Sequence, residues 1–232
     1  MDIDGAQSQI DAFVTQWQGP LFERCDNNQK LASWYLWIGY LMKLRSLRHL
    51  VPSNDTTGCY IMARYCLEHD VALTAVAKDA ALGDRYVDYD VHAKNKHLET
   101  MRGHADANHV AGLEQYMVAQ FGSDFAKKKA PNWHGGIPTL CRTAGRSAEL
   151  QMYVALCQVA HGTVTGMYML NVQGMMGEQY RAEVVRNLLM MYTLSYLKRT
   201  EEFIDLVFGS VWTPDQERCS DELIAMIKSI AL

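Results

Sequence analysis

The sequence predicts an all-α fold, a single bundle of about seven to nine helices that takes residues 1–232 as one domain. Three observations carry this. Apolar residues recur at three- and four-residue spacing, as along Trp34, Trp37, Ile38, Leu41 and Leu44, the period of one helix face. No stretch sustains an apolar/polar alternation, and no Asn-Gly or Asp-Gly turn joins two such stretches, so hairpin signals are missing. Proline is scarce, five residues in 232, so little in the chain interrupts a helix.

The elements follow in order. A first helix is expected over 6–18, closed by Gly19-Pro20, and a second over 28–50, opening after Asp26-Asn27 and stopping before Pro52. Ser53-Asn54-Asp55-Thr56 is a loop of N-cap residue types. A third helix over 57–82 follows, with Gly83 as its breaker and Asp84 as the cap of a fourth over 84–101. Gly103 separates a fifth over 106–121. Residues 122–137 form the one long irregular stretch, and a short helix over 138–144 comes next. From Leu150 to Gly177 there is no Asp, Glu, Lys or Arg. A membrane span would have to hide Gln151, Gln158, His161 and Asn171 in lipid, so this segment is read as a buried central helix over 147–170. A Gly-rich turn at 174–177 leads to a long helix over 178–208. Thr213-Pro214, a cap followed by proline at the first helical position, opens the last.

Lys+Arg of 22 against Asp+Glu of 26 gives a net charge of −4. That excludes a nucleic-acid binder whose whole surface is basic. The only basic triplet, Lys127-Lys128-Lys129, reads as a solvated loop tip. Six cysteines are scattered with no Cys-x-x-Cys pair, and Met1-Asp2-Ile3-Asp4-Gly5 is too acidic for a signal peptide. Both predict free thiols and a cytoplasmic protein.

Polar side chains within apolar helices mark where chemistry would sit. Arg64 and Glu68 are four apart, about 40° around a helix axis, so they face one way. They form either a structural ion pair or the wall of a polar cleft in which Arg64 holds an anion. Arg85, Asp88 and His92 fall at i, i+3 and i+7 on one face. Arg85 and His92 are about 20° apart, which suits a phosphate clamp and a proton carrier oriented by Asp88, or a solvated polar stripe. Tyr153, Cys157 and His161 form a row at four-residue spacing. His161 is a core histidine or, kept neutral by burial, a general base. If these faces meet, the bundle holds one polar cavity.

Other chemistries lack their signatures. His92/His97 and His104/His109 are five apart rather than four, and there is no Glu-x-x-His pair, so no metal is expected. Neither Gly-x-x-x-x-Gly-Lys-Ser/Thr nor Gly-x-Gly-x-x-Gly occurs, so no nucleotide cofactor is expected. There is no Gly-x-Ser-x-Gly elbow.

The order Arg64…Glu68, Arg85…Asp88, Trp133, Tyr153 and Ala160-His161-Gly162-Thr163 resembles an uncharacterised all-α bacterial family known only as a domain of unknown function. The likeness spans most of residues 30–210. Ala160-His161-Gly162 is also similar to the end of the catalytic motif of HEPN-domain ribonucleases. These are helical, often dimeric proteins of toxin–antitoxin and phage-defence systems. That resemblance implies metal-independent RNA cleavage, with an Arg on the phosphate and a His at the 2′-hydroxyl. It also implies RNA, a protein partner such as an antitoxin, or a second copy as partners. In the motif the Arg is separated from the His by four to six residues. Ahead of His161, Val154, Ala155 and Leu156 stand in those places. Arg64/His69, Arg85/His92 and Arg102/His109 meet the spacing, and helical geometry ranks Arg85/His92 first. The expected catalytic set is therefore Arg85, His92 and His161, supported by Arg64, Glu68, Asp88 and Tyr153. The alternative is a non-enzymatic module that binds a ligand or a partner helix in the same cavity.

Overall fold

The computed structural model describes residues 3–102, 104, 106–127, 135–175, 177–209 and 221. Among these there are nine α-helices and no strand. They are α1 (Ile3–Glu23), α2 (Asn28–Leu50), α3 (Thr56–Lys78), α4 (Ala80–Arg102), α5 (Ala107–Phe121), α6 (Ile137–Ala144), α7 (Glu149–Ala160), α8 (Val164–Met175) and α9 (Gly177–Phe203). A short 3₁₀ turn at Phe125–Lys127 follows α5, and a π-helical turn at Ile204–Phe208 extends α9.

Helix α3 is the axle, with α2, α9, α6 and α7 packed around it. Its sequence explains this. Val71 to Ala77 carries no charge, and every residue from Asp70 to Ala77 is buried, because each side of the helix meets another element. Helices α2 and α9 meet through aromatic rings. Trp37 stacks on Tyr196 with centroids 6.3 Å apart, and Tyr40 meets Tyr196 edge-on at 5.2 Å. Two of the three polar atoms are paired: Trp37 Nε1 donates to Thr200 Oγ1 at 2.8 Å, and the Tyr40 hydroxyl donates to the Tyr192 carbonyl. A smaller cluster of Val91, Leu98, Met117 and Phe125 joins α4, α5 and the 3₁₀ turn.

Two of the predicted caps form, whereas Asp84, expected as a cap, lies inside α4. Asn27 accepts from the Lys30 amide at the start of α2, and Asp55 from the Gly58 amide at the start of α3. Three expectations are corrected. Helix α1 continues through Pro20 to Glu23. Helix α3 ends at Lys78 and α4 begins at Ala80, so Gly83 lies inside α4. It is there because α4 crosses α2 closely: a Cβ at Gly83 would stand 2.6 Å from Gln29 Cα.

The third correction concerns the charge-free segment, which is neither one helix nor buried throughout. It breaks at His161–Thr163, where Gly162 takes φ +60°. The Thr163 hydroxyl accepts from the Gly166 amide, opening α8. Much of α8 then faces solvent. The expected last helix from Thr213, Lys128 and Lys129 of the basic triplet, and Trp133 lie outside the described residues. Among the described residues no helix is long and apolar enough to cross a membrane.

Candidate functional site

Helix α7 lies against α3, and this brings the Arg64/Glu68 pair to the Tyr153/Cys157/His161 row. Arg64 Nε donates to Glu68 Oε1 at 3.0 Å. Its Nη1 lies 3.4 Å from His161 Nε2. A guanidinium has no acceptor, so Nε2 accepts in that contact and the ring proton sits on Nδ1. The Arg64 guanidinium carbon also stands 5.6 Å from the centre of the Tyr153 ring, a cation–π approach.

The local fold sets this geometry. Helix α7 stops at Ala160, and the amide of His161 donates to the Cys157 carbonyl as the cap. The side chain of His161 thus stands at an exposed corner between α7 and α8. Arg64 and Glu68 are less open, with side chains 18% and 23% exposed. The site therefore has a sheltered cation and an accessible imidazole.

Electrostatics fix two protonation states. Burial works against the Arg64 charge, but the neighbouring Glu68 carboxylate and Tyr153 outweigh it and raise its pKa. The Tyr153 phenol is pushed up to about 12 by burial, then by Cys157 and Glu68. It is a protonated hydroxyl at neutral pH.

Beside Glu68 a cavity of about 310 Å³ opens between α2, α3, α4 and α6. Its polar lining includes Glu68, His69, Tyr86, Tyr89 and Asp90. His69 Nδ1 donates to the Tyr65 carbonyl at 2.9 Å, and the other edge of the ring packs against Gly39 of α2. Burial lowers the pKa of His69.

Of the residues singled out from sequence, Arg64, Glu68, Tyr153 and His161 come together. The α4 residues form a separate group. Arg85 Nε donates to the Ala81 carbonyl of its own helix, and Nη2 lies 4.0 Å from Asp79. His92 lines a different depression with Tyr89, Ala93, Lys96, His97 and Thr100. Asp88 sits half-buried between them in sequence. The anticipated single cavity is thus two places.

Sequence reasoning passed over a third polar cluster. Asp70, 1% exposed, has Oδ1 2.6 Å from Arg146 Nη1 and 3.3 Å from Arg199 Nε, and Oδ2 accepts from Ser195 Oγ at 2.8 Å. Arg146 also meets Glu149, and Arg199 meets Glu202. The cluster clamps α3, α7 and α9 together. The signal was present: a carboxylate heading the apolar run 71–77 must be paired if that run is buried. Its partners lie 76 and 129 positions away, beyond the reach of spacing arguments.

The model of a family described as "Family of unknown function (DUF5677)" matches residues 32–178, well over half the chain, and the matched segment contains Arg64, Glu68, Tyr153 and His161. No curated protein and no solved structure matches.

Proposed function

The chain belongs to the DUF5677 family of unknown function, and from its site we propose metal-independent cleavage of RNA, in the manner of the HEPN-type ribonucleases of conflict systems. Arg64 holds the scissile phosphate and His161 moves the proton. The reading rests on one observation, the 3.4 Å approach of Arg64 Nη1 to His161 Nε2 at an exposed corner. A cation and a neutral imidazole at that separation serve one phosphodiester. His161 takes the proton of the 2′-hydroxyl, and the freed oxygen attacks phosphorus. The bond to the 5′-oxygen breaks, that oxygen takes a proton from water, and a 2′,3′-cyclic phosphate remains. Arg64 balances the added charge on the phosphoryl oxygens. Glu68 fixes the guanidinium through Nε, so the outer nitrogens face the substrate. Arg85 and His92, first by sequence spacing, are second to this pair because Arg85 is turned to Asp79 and Ala81. The proposal carries with it a cytoplasmic setting and a protein antagonist such as an antitoxin.

A second reading, a non-enzymatic ligand-binding module, is favoured by Glu68. This carboxylate offsets the Arg64 charge, and it also lines the cavity alongside Asp90. Such a lining suits a small neutral or cationic ligand better than a polyanion.

The test is to incubate labelled RNA with purified protein in a metal chelator and identify the new ends. The nuclease reading expects 2′,3′-cyclic phosphate ends that vanish with His161→Ala and persist with His92→Ala. Intact RNA, or cleavage indifferent to His161→Ala, overturns it.

A further inference from the structure

Helix α8 carries a set of exposed side chains that core packing does not explain. Val164 is 89% exposed, Met167 55%, Tyr168 69%, Val172 36% and Met175 82%. At 100° per residue they fall with exposed Asn171 within a stripe about 140° wide. Among the described residues the helix packs mainly on its two neighbours in the chain, α7 and α9. Exposed apolar side chains also occur elsewhere, such as Met42 and Leu206, and single ones are ordinary on any surface. A continuous apolar stripe on a helix is not.

We propose that this face of α8 binds a second copy of the chain, α8 against α8, about a two-fold axis near Asn171. Two features select a copy rather than an unrelated partner. A two-fold contact sets each residue against its own kind or its neighbours, so like charges would meet across it. The run from Leu150 to Gly177 has no Asp, Glu, Lys or Arg, so the α8 face itself carries no such repulsion. The stripe's one polar side chain is also self-complementary: an Asn amide both donates and accepts, so Asn171 can pair with Asn171 of the other copy and set the register. A standard interface buries about 800 Å² per partner, more than one three-turn stripe supplies. Val154 on α7 and Tyr180 on α9 are also exposed, at 50% and 36%, on the two helices that pack against α8.

This inference stands apart from the reading of Arg64 and His161, because the mass of the particle is read with no RNA present. Sedimentation velocity on the full chain should give twice the 26.3 kDa chain mass. Tyr168→Glu should return it to one chain with an unchanged circular dichroism spectrum. Asn171→Cys should form an intermolecular disulfide on mild oxidation that the wild type, with its six cysteines, does not form. A wild type that stays monomeric over about a hundredfold range of concentration overturns the proposal. So does a dimer that is indifferent to Tyr168→Glu, or one in which Asn171→Cys does not crosslink.

Discussion

Arg64 Nη1 lies 3.4 Å from His161 Nε2, joining the middle of α3 to the C-terminal corner of α7. The two residues are 97 positions apart in the chain. Neither lies in a long polar stretch, and their meeting is a product of how α7 sits on α3. A cation sheltered at 18% exposure beside an accessible imidazole is the arrangement from which the proposed chemistry is built.

Glu68 holds that cation in place. Glu68→Gln removes the charge partner while keeping the shape. The expected cost is about 2 kcal/mol, the size of a hydrogen bond to a charged group, read by urea unfolding. Thermal shift with inorganic phosphate should rise in the variant, because the Arg64 charge is no longer offset. Equal phosphate response in both proteins contradicts a restraining role for Glu68.

The Asp70 cluster is structural and should be more costly to break. Asp70→Asn leaves Arg146 and Arg199 facing each other without their shared carboxylate, at about 3–5 kcal/mol. Arg85→Ala, at a half-exposed side chain with one long ion-pair contact, should stay within about 0.5 kcal/mol of wild type. Equal denaturation midpoints for the two variants would contradict this ranking.

Stability should fall on mild acidification, and His69 is the reason. Burial lowers its folded pKa below the ordinary 6.5, so the unfolded chain binds the proton more readily. Its contribution is present above pH 6.5 and is lost as pH falls from there through the folded pKa. Glu149, whose pKa is lowered by Arg146 against the opposing effect of burial, acts in the same direction below its ordinary 4.5. His69→Gln should flatten the curve between about pH 7 and 5 and leave the lower limb intact. An unchanged slope in that window sinks the assignment.

Gly83 and Gly112 make a matched pair inside helices. A Cβ at Gly83 meets Gln29 Cα at 2.6 Å, whereas one at Gly112 meets nothing within 4 Å. Gly83→Ala should destabilise by about 1–3 kcal/mol, since backbone must move. Gly112→Ala should stabilise by about 0.5–1 kcal/mol, the ordinary gain of alanine in a helix. Thermal melts of the two variants check both signs.

What was legible in the sequence follows from range. Four-residue spacing placed Arg64 with Glu68, and Tyr153 with His161, because a helix repeats locally. Caps at Asn27 and Asp55 were legible for the same reason. That the two rows face each other was not, since it depends on how two helices distant in sequence pack. Arg85 and His92 met a motif spacing yet serve different surroundings, because sharing a helix face does not supply a common partner. The charge-free run showed that 150–177 is apolar but not what covers it. His161-Gly162-Thr163, a glycine followed by a capping residue, held the signal for the break that turns α8 outward.

The most direct test of the central claim is a double-mutant cycle on RNA cleavage in chelator, with single-turnover rates for wild type, Arg64→Ala, His161→Ala and the pair together. If the two residues serve one phosphodiester, each single change slows cleavage by about a hundredfold or more, and the double variant is no slower than the worse single. Effects that multiply in the double variant, or rates that none of the changes lowers, would contradict a shared site.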